Sequence, residues 1–258
     1  MHTTTVTGLA ITAVKSTRLR AVDAIELDGD GARGNRRFFV IDDRDRMVNG
    51  KTIGALVKVV ADFDERSGRL AFEFPDGSRV ADEVRLGAPI VATFFSRQTE
   101  GRLVDGPWVA ALSAHVGQPL RLVSSDSAVD RGATGAASLI SRASLQRLAG
   151  EAGIETIDSR RFRMLIEVDG VAAHAEDRWV GGDVRVGEAL VRFEGHVGRC
   201  AFTTRDPDSG EVNLKTLHVL RGYRGHTETT EPLPFGIYGR VLEPGAVRIG
   251  DPVAPVQR

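Results

Sequence analysis

Residues 199–210 read RCAFTTRDPDSG and contain Cys200, the only cysteine in the 258-residue chain. The proline, aspartate, serine and glycine at 207–210 are typical of a turn, so the segment is predicted to be a loop. Arg199 and Arg205 flank the cysteine in sequence, and cationic neighbours favour the thiolate form. A thiolate is a soft donor that suits a sulfur-loving metal. Thr203 and Thr204 add hydroxyls for an anionic or heterocyclic ligand.

Three further motifs follow this loop in a fixed order. They are LKTL at residues 214–217, FGIY at residues 235–238 and GAVRIGDPV at residues 245–253. Together with the cysteine loop they resemble the signature of the MOSC domain, named for the C-terminal part of molybdenum cofactor sulfurase. Four motifs in the same order are more specific than any one of them.

The N-terminal half resembles the β-barrel domain that precedes MOSC in the amidoxime-reducing component and in its bacterial YcbX-type relatives. The stretch AVKS at residues 13–16 is similar to their PVKS motif, and RFF at 37–39 to their DRFW motif. SRASL at 141–145 is similar to SEASL, and Phe162-Arg163 to the start of FRPN.

This resemblance implies a molybdenum cofactor, in which the pterin supplies two dithiolene sulfurs and Cys200 is the metal ligand. It implies catalytic roles for Cys200 and Asp206, and it assigns cofactor binding to Lys15, Arg37, Ser141, Ser144, Arg163, Arg199, Thr203 and Thr204. The chemistry agrees, because guanidinium and ammonium groups bind phosphate well. A helix that starts near Ser141 could add free backbone N–H groups.

The implied activity is a two-electron reduction of small N-hydroxylated compounds, such as amidoximes or hydroxylamines. One cysteine cannot ligate an iron–sulfur cluster, and no such extension follows Arg258, so electrons are expected from a separate protein. A ferredoxin, a flavodoxin or a cytochrome b5-like protein would serve as that partner.

Two alternatives stay open. Cys200 could carry a persulfide for the assembly of a metal–sulfur cofactor, or the protein could bind the molybdenum cofactor without catalysis. The second alternative rests on departures from the family pattern. Met164-Leu165 replace Pro-Asn, Arg142 replaces an acidic residue, and Val197 replaces the first cysteine of a C-x-R-C motif.

Composition excludes several classes of protein. The net charge of −1 argues against a bulk electrostatic grip on nucleic acid or on an anionic membrane. No apolar run approaches the roughly 20 residues that span a bilayer. The N-terminus lacks the pattern of a signal peptide, and a lone cysteine makes no internal disulfide, so a cytoplasmic location is expected.

The predicted fold class is mainly β, with an N-terminal β-barrel-like domain at residues 1–123 and a MOSC β-barrel with a few short helices at residues 124–258. Residues 124–137 are the predicted linker. The predicted strands are 6–14, 20–27, 38–41, 56–63, 70–74, 90–95, 120–123, 162–168, 183–186, 189–193, 235–242 and 246–249. Helices are predicted from Pro107, over 141–148 with an end at Gly150, and around 215–220.

Two motifs are set aside. Residues 29–34 match G-x-G-x-x-G but lead into a predicted strand, whereas a dinucleotide site needs them to open a helix. Gly50-Lys51-Thr52 resembles the end of a P-loop but lacks the earlier glycine, which predicts a hairpin turn with an exposed lysine. The six histidines show no metal-binding spacing, so a histidine-built zinc site is not expected.

Overall fold

The computed structural model describes residues 3–94, 97–126 and 132–256. Strands dominate these residues and helices are few and short, so the mainly-β prediction is confirmed. The strands of the first half are β1 Thr5–Ile11, β2 Arg20–Ala21, β3 Ala24–Asp28, β4 Gly31–Ala32, β5 Phe38–Ile41, β6 Met47–Val48, β7 Val60–Asp64, β8 Arg69–Glu73, β9 Arg79–Glu83, β10 Arg85–Phe94, β11 Arg97–Asp105 and β12 Arg121–Ser124.

The strands of the second half are β13 Ala137–Ser141, β14 Ile166–Asp169, β15 Asp183–Val186, β16 Ala189–Gly198, β17 Pro234–Glu243, β18 Gly245–Arg248 and β19 Val253–Pro255. The α-helices of the described residues are α1 Trp108–Val116, α2 Arg142–Glu151 and α3 Thr216–Arg224. Short 3-10 segments cover Gly54–Lys58, Gly132–Gly135, Ser159–Phe162, Ala175–Trp179 and Ala201–Thr204.

An eight-stranded sheet organises the second half in the order β19-β15-β16-β17-β13-β14-β1-β2. Strand β16 alternates buried and partly exposed residues over most of its length, as expected for a strand with one face on a core. Strands β1 and β2 come from the first half of the sequence, and β1 pairs antiparallel with β14. The first strands of the chain therefore complete the sheet of the second half. The boundary between residues 1–123 and 124–258 stays a prediction.

A five-stranded sheet, β10-β11-β12-β5-β6, and the three-stranded sheet β7-β8-β9 form most of the first half. Strand β5 reads FFVI and is buried on both faces. Phe38 and Val40 enter one core, and Phe39 and Ile41 enter a second core on the other face. The two-residue period of a strand explains why all four side chains can be apolar.

The helices follow the predicted signals closely. Helix α1 begins after Pro107 and ends at Gly117, which has the left-handed φ of 74° that glycine tolerates. Ser141 caps α2, since its hydroxyl accepts a hydrogen bond from the backbone N–H of Ser144 at 3.1 Å. Helix α2 runs one residue past the predicted stop at Gly150.

Some predicted elements differ from the structure. The predicted strand 56–63 begins only at Val60, because residues 54–58 form a 3-10 turn. The predicted strand 162–168 begins only at Ile166, because Asp158 caps a 3-10 turn over the preceding residues. Residues 29–34 open no helix, as predicted, but they contain the short strand β4 and are not only a loop. Residues 127–131 of the predicted linker lie outside the described residues.

Candidate functional site

A cavity of about 420 Å³ lies where the end of β16 meets loops of the first half. Its volume is in the range of pockets that bind small molecules. The first half contributes residues after β1, before β5 and after β6, together with the last residue of β10 and the first of β11. The second half contributes residues 161–164, the end of β16 and the cysteine loop.

Positive charge is the main chemical property of this cavity. Seven cationic side chains line it, and no carboxylate of the described residues does. The seven are Lys15, Arg36, Lys51, Arg97, Arg161, Arg163 and Arg199. Burial of like charges is unfavourable unless an opposite charge joins them, so the lining is suited to an anionic ligand.

The pKa values of the buried cations reflect this crowding. Burial lowers the pKa of Arg36 to about 10, and burial together with the charge of Arg36 lowers the pKa of Arg163 to about 9. Burial, followed by the charges of Arg36 and Arg163, lowers the pKa of Lys15 well below its usual range. The Cys200 thiol opposes that shift of Lys15. An anion in the cavity would relieve the repulsion among these groups.

Strained backbone also concentrates here. Ser16, Arg36 and Arg163 have φ angles of 75°, 53° and 54°, which non-glycine residues seldom adopt. All three line the cavity. Such conformations persist only where the surrounding structure holds them, and they cluster at functional sites.

Cys200 is exposed and follows β16 directly, at the start of the 3-10 segment 201–204. The Thr203 backbone N–H and hydroxyl donate to the Cys200 carbonyl at 3.1 and 3.0 Å. The Thr203 hydroxyl also lies 2.7 Å from that of Thr216 at the start of α3. These bonds fix the loop backbone and leave the thiol facing the cavity.

The two arginines that flank Cys200 in sequence stabilise backbone. Arg199 donates to the Phe162 carbonyl at 2.7 Å and to the Phe235 carbonyl at 2.8 Å, and its Nη2 lies 3.0 Å from the Met164 sulfur. Arg205 donates to the carbonyls of Gly210 and Lys51 at 2.7 and 2.6 Å. Lys15, distant in sequence, lines the same cavity, and its pKa responds to the Cys200 thiol.

Lys51 corrects the sequence analysis, which predicts an exposed lysine at this turn. The residue is half-buried and lines the cavity. Its neighbour Gly50 packs against the ring of Phe202, and a Cβ at position 50 would lie 2.0 Å from that ring. A glycine is therefore required for the turn to approach the cysteine loop so closely.

Of the predicted site residues, Cys200, Lys15, Arg163, Arg199 and Thr203 come together on the cavity. The five others, Arg37, Ser141, Ser144, Thr204 and Asp206, lie off its lining. The nearest carboxylate to Arg37 is Glu65, at 3.6 Å, and Thr204 donates to the Ala201 carbonyl at 2.7 Å.

Asp206, predicted to be catalytic, also lies off the cavity lining. Its carboxylate accepts backbone N–H groups of Ser209 and Asp208 at 2.8 and 3.0 Å, and the Asn213 side chain at 3.0 Å. These bonds, with that of Ser209 the largest, lower the pKa of Asp206 to about 2. Asp206 therefore stabilises the conformation of its own loop.

Ser141 and Ser144 form a separate buried network with Glu176. The Ser144 hydroxyl donates to Glu176 Oε1 at 2.6 Å, and the Ser141 backbone N–H donates to the same oxygen at 3.1 Å. All three residues are fully buried. The two serines lie at the start of α2, and none of the three residues lines the cavity.

Sequence reasoning missed Arg36, Lys51, Arg97 and Arg161 as cavity residues. Arg36 is adjacent to the predicted Arg37, but only the left-handed turn before β5 decides which of the two enters the cavity. Arg161 donates to the Arg205 carbonyl at 2.6 Å and to Asn213 Oδ1 at 2.8 Å. Leu165, at the position where the resemblance has an amide, is buried in the apolar core.

Metal binding at this site would need ligands from outside the protein. Among residues 3–94, 97–126 and 132–256, no group of three or more His, Cys, Asp or Glu side chains could hold a metal ion. Among the described residues Cys200 is the one thiol on the lining, and the other sulfur there, that of Met164, lies 3.0 Å from Arg199 Nη2. The residues therefore fit a metal that arrives with most of its own ligands and with an anionic carrier.

Fold and site together define a mainly-β protein with an exposed thiol in a cationic cavity. The model of the MOSC domain family matches residues 126–254, half of the chain. The chain belongs to the MOSC domain family.

Curated relatives agree with this assignment. Mitochondrial amidoxime-reducing component 1 of Xenopus laevis is 36% identical over 126 residues, which are 43% of this chain and 36% of the relative. Mitochondrial amidoxime reducing component 2 of Homo sapiens is 38% identical over 98 residues, which are 36% of this chain and 29% of the relative. The chain thus spans about a third of the length of the curated relatives it matches.

The crystal structure of the YUAD protein from Bacillus subtilis has a similar fold, with a TM-score of 0.50 at 16% identity. The match covers 99% of this chain and 97% of that one. Within the described residues, none of the helices has the length and apolar character to cross a bilayer.

Proposed function

We propose that the protein binds the molybdenum cofactor in the cationic cavity, with Cys200 as the protein ligand to the metal. The observation that carries this proposal is the combination of seven cationic side chains with one exposed thiol on a single cavity. The pterin carries a phosphate, for which buried guanidinium groups are strong partners. Lys15, Arg36 and Arg163 would bind the anionic carrier, and Arg199 would hold the backbone around the thiol.

We further propose that the protein reduces small N-hydroxylated compounds. The names of its curated relatives support this activity. The reaction breaks the N–O bond of the substrate, consumes two electrons and two protons, and releases the amine or amidine and water. The cofactor, when bound, would supply two-electron redox chemistry at the metal. A separate protein of the ferredoxin, flavodoxin or cytochrome b5-like class would supply the electrons.

This chain's own residues would orient the substrate and the metal. The Thr203 bonds to the Cys200 carbonyl keep the thiol aimed into the cavity. The buried cations disfavour any further positive charge, so they select for anionic groups. The cytoplasmic location remains a prediction from the sequence.

The test is turnover of benzamidoxime to benzamidine, with a reduced viologen as electron source and protein from a host that makes the cofactor. We expect turnover by the wild type. In Cys200→Ala the turnover rate should fall by at least about 100-fold, because the proposed protein ligand to the reacting metal is removed. Val212→Ala is the matched control, since Val212 lies in the same loop and is 65% exposed. Full activity of Cys200→Ala would contradict the proposal.

The persulfide alternative is favoured by one observation, the exposure of the Cys200 thiol. It does not account for the seven cations, since a persulfide carrier needs a reactive thiol and little else. Mass spectrometry after incubation with a cysteine desulfurase distinguishes the two functions. A sulfur adduct on Cys200, in protein that lacks molybdenum, would support the carrier function.

A further inference from the structure

The Gly50 turn, residues 49–54 of the first half, and the cysteine loop contact each other backbone to backbone. A Cβ atom on Gly54 would lie 2.3 Å from the Gly210 carbonyl oxygen, and one on Gly210 would lie 2.2 Å from the Gly54 carbonyl oxygen. A side chain at either position would therefore push the two segments apart. The two glycines permit a direct contact between segments from opposite halves of the chain.

The Gly50 turn is also held by its own hydrogen bonds. Asn49 is buried, and its Oδ1 accepts the backbone N–H of Lys51 at 2.8 Å. The Asn49 carbonyl accepts the Thr52 hydroxyl and the Ile53 backbone N–H, both at 3.0 Å. An asparagine that bonds to the backbone two residues on stabilises a tight turn. The turn therefore presents a defined surface to the cysteine loop.

Phe202, two residues after Cys200, packs against this surface. A Cβ at Gly50 would lie 2.0 Å from Cε2 and 2.8 Å from Cζ of the Phe202 ring, so the ring fills the space that a larger residue would need. The Arg163 guanidinium lies over the same ring, 5.0 Å from its centroid. Contacts from both halves of the chain thus hold the ring, and with it the backbone that follows the thiol.

Arg205 joins the two segments farther along the cysteine loop. Its guanidinium donates to the Lys51 carbonyl at 2.6 Å and to the Gly210 carbonyl at 2.7 Å. Its own carbonyl accepts a hydrogen bond from Arg161 at 2.6 Å. One planar guanidinium therefore bonds to the Gly50 turn and to the end of the cysteine loop at once, which the single ammonium of lysine would not reproduce.

We propose that the Gly50 turn positions the Cys200 thiol. Phe202 and Arg205 are the positioning residues, and they act together with the Thr203 hydrogen bonds to the Cys200 carbonyl. A ligating side chain must stay within about 0.5 Å of its productive position, so a displaced Phe202 ring would weaken the metal site without unfolding the chain. This proposal rests on the proposed function for the metal that the thiol would bind.

A pair of substitutions tests the contact between Gly50 and Phe202. Gly50→Ala should lower the molybdenum content of the folded protein to at most about a third of the wild-type value, because the new methyl group collides with the ring. Leucine lacks the Cε2 and Cζ atoms that collide. The double variant Gly50→Ala/Phe202→Leu should therefore regain the content of Phe202→Leu alone, which we expect to exceed about half of the wild-type content.

Gly29→Ala is the matched control for Gly50→Ala. Within the described part of the chain, nothing beyond its sequence neighbours lies within 4 Å of a Cβ at Gly29. We expect the wild-type molybdenum content in this variant.

Arg205→Lys tests the second contact independently, and it carries the test should Gly50→Ala not fold. The substitution keeps the charge but gives up one of the two carbonyl bonds. The molybdenum content of the folded protein should fall by at least about 2-fold. A full molybdenum content in Arg205→Lys would refute the role of Arg205.

The position of the thiol can also be probed without the cofactor. In protein from a host that cannot make the cofactor, iodoacetamide should alkylate Cys200 at least about 3-fold more slowly in Gly50→Ala than in the wild type. The reason is that the thiol moves away from the cationic lining, which favours the thiolate. The double variant with Phe202→Leu should regain the rate of Phe202→Leu alone.

Two results would overturn the inference. One is a folded Gly50→Ala protein with the molybdenum content and the alkylation rate of the wild type. The other is a double variant that stays as impaired as Gly50→Ala, since the methyl group would then act through something other than the Phe202 ring. Wild-type protein without molybdenum would refute the proposed function instead, and the alkylation rates would then decide the positioning role alone.

Discussion

The cysteine loop and the serine turn at the start of α2 both resemble family motifs, yet the structure gives them different surroundings. Cys200 is exposed on a cationic cavity, and its loop is held by hydrogen bonds to the Cys200 carbonyl and not to the thiol. Ser141 and Ser144 are fully buried, and their polar groups are satisfied by Glu176. A polar residue is available for ligand chemistry only where the protein has not already satisfied it.

The largest expected effect comes from breaking the serine turn. Glu176→Ala removes the acceptor of two buried hydrogen bonds and should lower the free energy of unfolding by about 3 kcal/mol. The melting temperature should fall by roughly 6–12 °C in calorimetry. Cofactor content per folded molecule should stay constant, which is the opposite of the Cys200→Ala pattern.

Glu167→Ala is the matched control for this prediction. Glu167 lies on the neighbouring strand β14, and its carboxylate pairs with Arg142 at 3.5 Å near the surface. We expect a change of less than about 1 kcal/mol, as is usual for surface ion pairs. Equal destabilisation by the two variants would contradict the role given to the buried network.

An intermediate effect is expected at Arg199, which connects the cysteine loop to its support. Lysine cannot reach the Phe162 and Phe235 carbonyls together, because it lacks the planar fork of arginine. Arg199→Lys should lower the unfolding free energy by about 2 kcal/mol and should also reduce the molybdenum content of the folded fraction. Metal analysis and thermal unfolding on one sample check both. A fall in stability with full metal content would show that Arg199 is structural only.

The smallest expected effect is the pH dependence of stability at His174, whose backbone N–H donates to the Ser144 hydroxyl at 2.8 Å. Burial lowers the pKa of His174 from 6.5 to about 4. The unfolded chain therefore binds a proton near pH 6.5 and the folded chain only near pH 4, so stability falls as pH drops through that window. Solvent screening at this half-buried ring limits the loss to about 1 kcal/mol.

His174→Asn should flatten this slope, because asparagine does not titrate there and tolerates the left-handed φ of 62° at this position. Melting temperatures measured between pH 4 and 7 provide the test. An unchanged slope in the variant would assign the effect to another group.

Much of the fold was predictable because its signals are local. The period-two pattern of β16 and the cap at Ser141 depend on neighbours within a few residues. The pairing of β1 with β14 was not predictable in this way, because register across the chain depends on tertiary contacts. For the same reason the sequence identified Cys200 but not Arg36, Lys51 or Arg97, which reach the cavity from distant loops.

The hydrogen-bond partners of the arginines beside the thiol were not predictable from the sequence, for a physical reason. Proximity in sequence suggested Arg199 and Arg205 as partners of the thiolate, but their guanidinium groups are drawn to backbone carbonyls. A flanking side chain in a loop points wherever hydrogen-bond acceptors lie, and only the folded chain shows that Lys15 couples to Cys200.

The most direct test of the central claim is the molybdenum and pterin content of freshly purified protein from a host that makes the cofactor. Mass-spectrometric metal analysis and pterin fluorescence should give about one molybdenum and one pterin per chain in the wild type. In Cys200→Ala the molybdenum should be lost, while the melting temperature stays within about 2 °C of that of wild-type protein freed of the cofactor, since the thiol is exposed. Wild-type protein without the cofactor, or Cys200→Ala with full molybdenum, would contradict the account.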